Sequence, residues 1–210
     1  MGKLKRKSCI LAFDDGKHEK SDLMRYRPQV DPDSSHMTDL IGVITKGLQL
    51  MHVSSTRITV DGSDSTTKIL ELIQSNPYRN EIKLILIDSP CVAGFNIPNP
   101  FIIYEKTQIP ILLIPSNHPT HIIGDVFEKV FPNRLDELVV LKNLPPLETL
   151  NVKVNISPEL SKNVCFHPIG ISKSEVIDLL HFLTHYSSVP EPLRLAHLIA
   201  SRFKLKHDAA

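Results

Sequence analysis

The sequence predicts an α/β fold with a mixed sheet, and three features carry that expectation. "SCILAFD" and "TDLIGVITKGLQLMHVSSTRITV" read as three strands, the second and third folded back at Lys46-Gly47, because a short glycine-containing link favours an antiparallel hairpin. "STTKILELIQS" places Ile69, Leu70, Leu72 and Ile73 at helical spacing behind Ser, Asp and Thr residues suited to an N-cap. "EIKLILID" is apolar almost throughout, the mark of a strand covered on both faces. The first half therefore reads β-β-β-α-β.

The second half continues with a loop, "SPCVAGFNIPNP", a helix at 100–107, a buried strand, "IPILLIPS", and a helix at 120–131. "LVVLKNLPPLETLNVKVNISPELS" reads as irregular in part, because prolines at 145, 146 and 158 interrupt any regular pattern. "VCFHPI" is a candidate for a last short strand. Two helices close the chain, Ser174 to Tyr186 and Glu191 to Phe203, with Pro192 suited to a first turn. Residues 16–38 are polar and proline-interrupted and read as a long loop, a kind of segment that often carries function.

At 210 residues with 41% apolar and 22% charged side chains, the chain is expected to be one globular domain spanning 1–210. Its apolar runs are too short for a membrane span, and the basic start "MGKLKRKSC" leads into a run too short for a secretory signal, so a cytoplasmic protein is expected. Cys9, Cys91 and Cys165 show no paired spacing and suggest neither a disulfide framework nor a cysteine zinc site. With 24 Lys and Arg against 23 Asp and Glu, bulk charge does not make this a nucleic-acid coat protein. Local basic clusters remain at residues 3–7 and in "SRFKLKHD".

Three strand-like runs end in aspartate: "ILAFDD", "RITVDGSD" and "LILID". They supply Asp14 with Asp15, Asp61 with Asp64, and Asp88. In an open α/β sheet the carboxyl ends of strands face the usual ligand crevice, and parallel first and fourth strands would set Asp14 against Asp88. Carboxylates gathered in a half-buried site need shared protons or a cation, and an all-oxygen set suits Mg²⁺ or Mn²⁺, the ions of phosphodiester hydrolysis. Aspartate after a strand also starts turns and caps helices, the simpler account of "VDGSDS". By pleat alternation Asp15 points away from Asp14 and either assists from behind or starts the loop.

The β-β-β-α-β order with acidic strand ends resembles the ribonuclease-H-like fold. "FDDG", "ITVDGSDSTTKI", "LILIDSPCVAGFN", "IPILLIPS" and "PEPLRLAHLIA" are similar to segments of a largely archaeal family of unknown function, number 99 in the catalogue of such domains, which is grouped with endonuclease V. The resemblance implies an endonuclease-V-like mixed five-stranded sheet with helices on both faces. It also implies Mg²⁺-dependent nuclease chemistry, with Asp14, then Asp61 or Asp64, then Asp88 as catalytic residues and metal ligands. The last helix of this fold often supplies a fourth ligand, which places Glu191, Arg194 and His197 near the site. Apart from the resemblance, Asn96 follows the fourth strand closely enough for a polar role at the crevice or for a turn, and Asp15 adjoins Asp14 at the site's edge. The chain departs from endonuclease V where "HVSSTRITVDG" replaces a Pro-Tyr-Ile-Pro wedge and where "SPCVAGFN" follows Asp88. It departs from the unknown family at Thr67, where a Glu is usual.

Other residues offer weaker chemistry. His181 and His185 are spaced i, i+4 on an expected helix, the geometry of metal ligands, but no third ligand accompanies them. His18, Arg25, Arg27 and His36 in the long loop could meet phosphate oxygens. Cys91 is close to Asp88 in sequence but has no neighbouring base to activate it. Two functions follow: a Mg²⁺- or Mn²⁺-dependent nuclease or phosphodiesterase, or a catalytically degenerate module of the same fold that binds nucleic acid or a protein partner.

Overall fold

A computed structural model describes residues 4–16, 37–115, 120–154 and 157–202 of the chain. Strand β1 (Cys9–Asp15) is followed by β2 (Met37–Lys46), β3 (Gln49–Thr59), helix α1 (Ser65–Ser75), β4 (Ile82–Ile87), α2 (Pro100–Thr107) and β5 (Ile111–Leu113). Then come α3 (Thr120–Val130), α4 (Leu135–Lys142), β6 (Glu148–Val154), β7 (Ser157–Ile169), α5 (Lys173–Leu183) and α6 (Glu191–Arg202). The β2–β3 hairpin turns on Gly47, whose φ of 63° belongs to the left-handed region that hairpin turns use.

The strands form one seven-stranded sheet in the order β3-β2-β1-β4-β5-β7-β6, two strands more than the five expected. The additional pair forms the antiparallel β6–β7 hairpin: β6 lies within the stretch read as irregular, whereas β7 contains the short strand expected at "VCFHPI" and extends it back to Ser157. Pro145 and Pro146 fall between α4 and β6 and break neither. Pro158 lies in the part of β7 that does not pair with β5, where a missing N–H removes no ladder bond on that side. Helix α4 was likewise unanticipated.

Pleat alternation divides the core into two layers. On one face Ile10, Ala12, Ile41, Val43, Leu84 and Leu86 pack under α5 and α6, against Leu179, Leu183, Leu193 and Ala196. On the other, Leu11, Phe13, Leu40, Ile44, Ile85 and Ile87 pack under α1 and α2, against Ile69, Leu72, Ile73 and Ile103. This is why 84–87 is apolar at every position: both faces of β4 are covered. A satellite cluster joins Phe127 of α3 to Leu138 and Leu141 of α4 beside Ile97. Among the described residues no helix is long and apolar enough to cross a membrane.

Candidate functional site

Register brings the first two acids together. β1 and β4 are parallel with Phe13 opposite Ile87, so the next residues, Asp14 and Asp88, end adjacent strands side by side. Ala12 and Leu86 are also partners and both face α6, so Asp14 and Asp88, two residues on, face that helix as well. Helix α6 packs on β1 and carries His197 to the same place, where its Nδ1 lies 2.9 Å from Asp14 Oδ2. Ligand atoms of Asp14, Asp88 and His197 all lie within 4.8 Å of one another.

Asp14 is the most constrained member. Its side chain is 8% exposed, against 66% for His197, so the cluster has a buried floor and an open rim. Burial, reinforced by the neighbouring charge of Asp15, pushes its carboxyl up to about 6 from an ordinary 3.8. The Asp15 amide, donating to Oδ1 at 2.8 Å, and His197 oppose that rise. Both oxygens are thereby oriented while retaining lone pairs for another partner. Asp15 continues the row of Leu11 and Phe13, toward the face that α1 covers.

Asp61 and Asp64 lie outside this ligand group, for reasons of topology and bonding. β3 stands two strands from β1, roughly 9.6 Å across the sheet. Asp61, at φ 56°, turns its carboxylate to the loop after β4, where Oδ1 accepts from the Phe95 amide at 2.8 Å and its own amide donates to Ala93 O at 2.8 Å. Asp64 accepts from Thr59 Oγ1 at 3.0 Å and from Asn96 Nδ2 at 2.6 Å. Asp64 occupies the N-cap position of α1 without capping it; the buried Asn96 does so from across the loop, its Oδ1 accepting from the Ser65 amide at 3.0 Å. The string "VAGFN" is therefore a bolt: it ties the end of β3 and the start of α1 to the end of β4.

Arg134, in the turn between α3 and α4, secures the same corner. Its guanidinium donates to Asp61 O at 2.8 Å, Gly62 O at 2.6 Å and Phe95 O at 3.4 Å, pairs with Glu137 at 2.9 Å, and lies over the rings of Phe127 and Phe131. Nothing in "FPNRLDE" beyond an Arg three residues before a Glu signalled this clamp. A lysine reproduces its charge but not its planar fork, so Arg134→Lys is expected to lower stability by about 2 kcal/mol in urea titration.

Glu191 and Arg194 form a bidentate pair at 2.7 and 2.8 Å at the start of α6, with Glu191 buried and Arg194 packed over Tyr186. They hold the amino end of the helix that delivers His197 and are not in its ligand group. Cys91 has its thiol pushed up to about 12 by burial and by the charges of Asp15 and Asp61, so it is a neutral group, and it packs against the cluster of Ile97 and Phe127. The expected helical pair His181 and His185 does not form: α5 ends at Leu183, and His185 lies beyond it, edge-on to Tyr186. His18, Arg25, Arg27 and His36, with most of the 16–38 loop, lie outside the described residues.

Comparison with known proteins shows the family and the fold. The family described as Endonuclease dU matches residues 6–204. A UPF0215 protein of Thermococcus kodakarensis is 28% identical over 201 residues, covering 95% of this chain and 93% of that one. Another from Nanoarchaeum equitans is 31% identical over 163 residues, covering 78% and 77%. Among solved structures, a protein of unknown function from Archaeoglobus fulgidus superposes with a TM-score of 0.72 at 21% identity, over 92% of this chain and 96% of that one. Endonuclease V of Ciona intestinalis, solved with a 24mer DNA containing an inosine followed by a ribo-adenosine, superposes at 0.55 with 9% identity, over 92% and 84%. At such identities these structures show the fold, which is that of endonuclease V.

Proposed function

Since the chain belongs to the Endonuclease dU family, we propose that it is a Mg²⁺- or Mn²⁺-dependent endonuclease acting on DNA that contains deoxyuridine, with Asp14, Asp88 and His197 as its ligand set. The supporting observation is the convergence of these three side chains from β1, β4 and α6 at one strand-end crevice. The residues fit a hard divalent cation: a buried carboxyl with a raised pKa, beside a second carboxylate and under an imidazole, holds charge that a cation would relieve.

A divalent cation held there supplies Lewis-acid stabilisation of the phosphodiester and eases deprotonation of water. The chain contributes geometry. The Asp15 amide and His197 fix both oxygens of Asp14, and parallel pairing of β1 with β4 fixes Asp88 beside it. In this reading Asp61 and Asp64, with Asn96 and Arg134, brace the crevice wall rather than ligate.

The test is cleavage of a deoxyuridine-containing oligonucleotide beside its thymidine counterpart, with Mn²⁺ and with chelator. Cation-dependent cutting of the first alone is expected, and Asp88→Asn should slow it by more than about a hundredfold, since even residues behind metal ligands reach that scale. Equal binding of nucleic acid in chelator with no cleavage of any substrate would replace this reading by the degenerate binding module.

A further inference from the structure

At the opposite end of the sheet a second cleft, with a volume of about 790 Å³, opens at the amino-terminal ends of the parallel strands, beside Cys9 of β1, Ile82 of β4 and the approach to β5 at Ile109 and Pro110. We propose that it is a binding site for a ligand carrying adjacent phosphate groups. It is independent of the acidic crevice, from which the length of β1 separates it by roughly 20 Å.

Charge is the first argument. The cleft is lined by Lys5, Lys7, Lys46, Arg79 and Lys83 against a single carboxylate, Glu81, in a chain whose formal net charge is only +1. Glu81 is engaged by Lys46 at 3.6 Å, so the remaining cations are in excess. Like charges around one concavity repel one another and focus a positive potential into it, and an anion with several charges relieves both. The basic run at the start of the chain, for which the acidic crevice has no use, thereby finds a place: Lys5 and Lys7 form one rim of the cleft.

Shape is the second argument. A volume of 790 Å³ falls within the range of small-molecule sites, and besides the cations the lining offers the polar Thr107 and Gln108 and the apolar Ile109 and Ile82. Such a lining can receive the body of a nucleotide while the cations take its phosphates. Phosphates of this kind come from two sources, a free polyphosphate or nucleotide, or the backbone of a nucleic-acid strand.

Calorimetric titrations with tripolyphosphate, ATP and a short single-stranded oligonucleotide, each at low and high salt, test the site and separate its sources. Binding is expected at low salt and should weaken at least about tenfold at high salt, as charge-driven association does. Tripolyphosphate or ATP binding identifies a free polyphosphate, and binding of the oligonucleotide alone identifies a strand. The double variant Lys7→Glu/Lys83→Glu should lose at least about tenfold in affinity while keeping the parent melting temperature and Mn²⁺ affinity, because both side chains are exposed. Absence of binding by all three probes, or binding that survives the double variant, would overturn the proposal. Neither result bears on cleavage at the acidic crevice.

Discussion

Replacing Asp14 by asparagine is expected to make the metal-free protein more stable at pH 8 and, in the same step, to remove its affinity for Mn²⁺. The reason lies in the raised carboxyl, pushed from 3.8 to about 6 mainly by burial. A carboxyl that holds its proton more tightly when folded stabilises the fold only while protonated. Stability is therefore lost as pH rises from about 4 through about 6, and the deficit above that range is about 3 kcal/mol. Asparagine keeps a similar shape and an acceptor for the Asp15 amide without ever ionising. The two proteins should match below pH 4 and diverge above pH 6, by about 6–12 °C in melting temperature for a chain of this size.

Saturating Mn²⁺ reverses the order. The parent gains stability by mass action when its ligands bind the ion, and the variant does not. Below pH 6 the gain in the parent fades as protons compete for the Asp14 carboxylate. Thermal melts from pH 4 to 8, with and without Mn²⁺, read all of this in one series. An Asp14→Asn variant less stable than the parent at pH 8 without metal would show that His197 fully compensates the buried charge, and an unchanged Mn²⁺ response would remove Asp14 from the ligand set.

The second large effect is expected at Gly94, in the loop after β4. Its φ of 79° is one that side chains rarely adopt, and a methyl there would run into the Asp61 carboxylate. Gly94→Ala must either displace Asp61 from the Phe95 amide or shift the loop that carries Asn96, and with it the cap of α1. Strain and lost bonds together should lower stability by about 3 kcal/mol or more, read as a lower urea midpoint. Mn²⁺ affinity should hold, since Asp14, Asp88 and His197 reside on β1, at the end of β4 and on α6. Lost Mn²⁺ affinity with unchanged stability would instead assign Asp61 to the metal, as a ligand rather than a brace.

Much of this molecule was legible in its sequence. The 3.6-residue spacing of Ile69, Leu72 and Ile73 located α1 with both ends correct, and the unbroken apolar run of β4 announced a strand covered on both faces. The aspartates ending β1 and β4 pointed to one crevice because parallel pairing puts strand ends of the same direction at the same edge. Strand β6 and the start of β7 escaped notice because their residues mix polar with apolar positions: β6 is an edge strand with only Val152 and Val154 buried. Prolines nearby then argued against regular structure, so that of β7 only its end, "VCFHPI", was legible as a strand.

Sequence alone determined the fold class, the acidic strand ends and the last helix with its histidine, because each is written in local periodicity or residue type. Tertiary structure decided which of these residues meet. His197 lies 183 positions from Asp14 and reaches it only because α6 packs along β1. Asp61 and Asp64 look like Asp88 in sequence, yet in the structure their carboxylates bond the Phe95 amide and Asn96 and stand outside the group of Asp14, Asp88 and His197. Arg134 had no signal beyond the Glu three residues on, since the partners that make it a clamp are backbone carbonyls, which every residue possesses and no sequence pattern distinguishes.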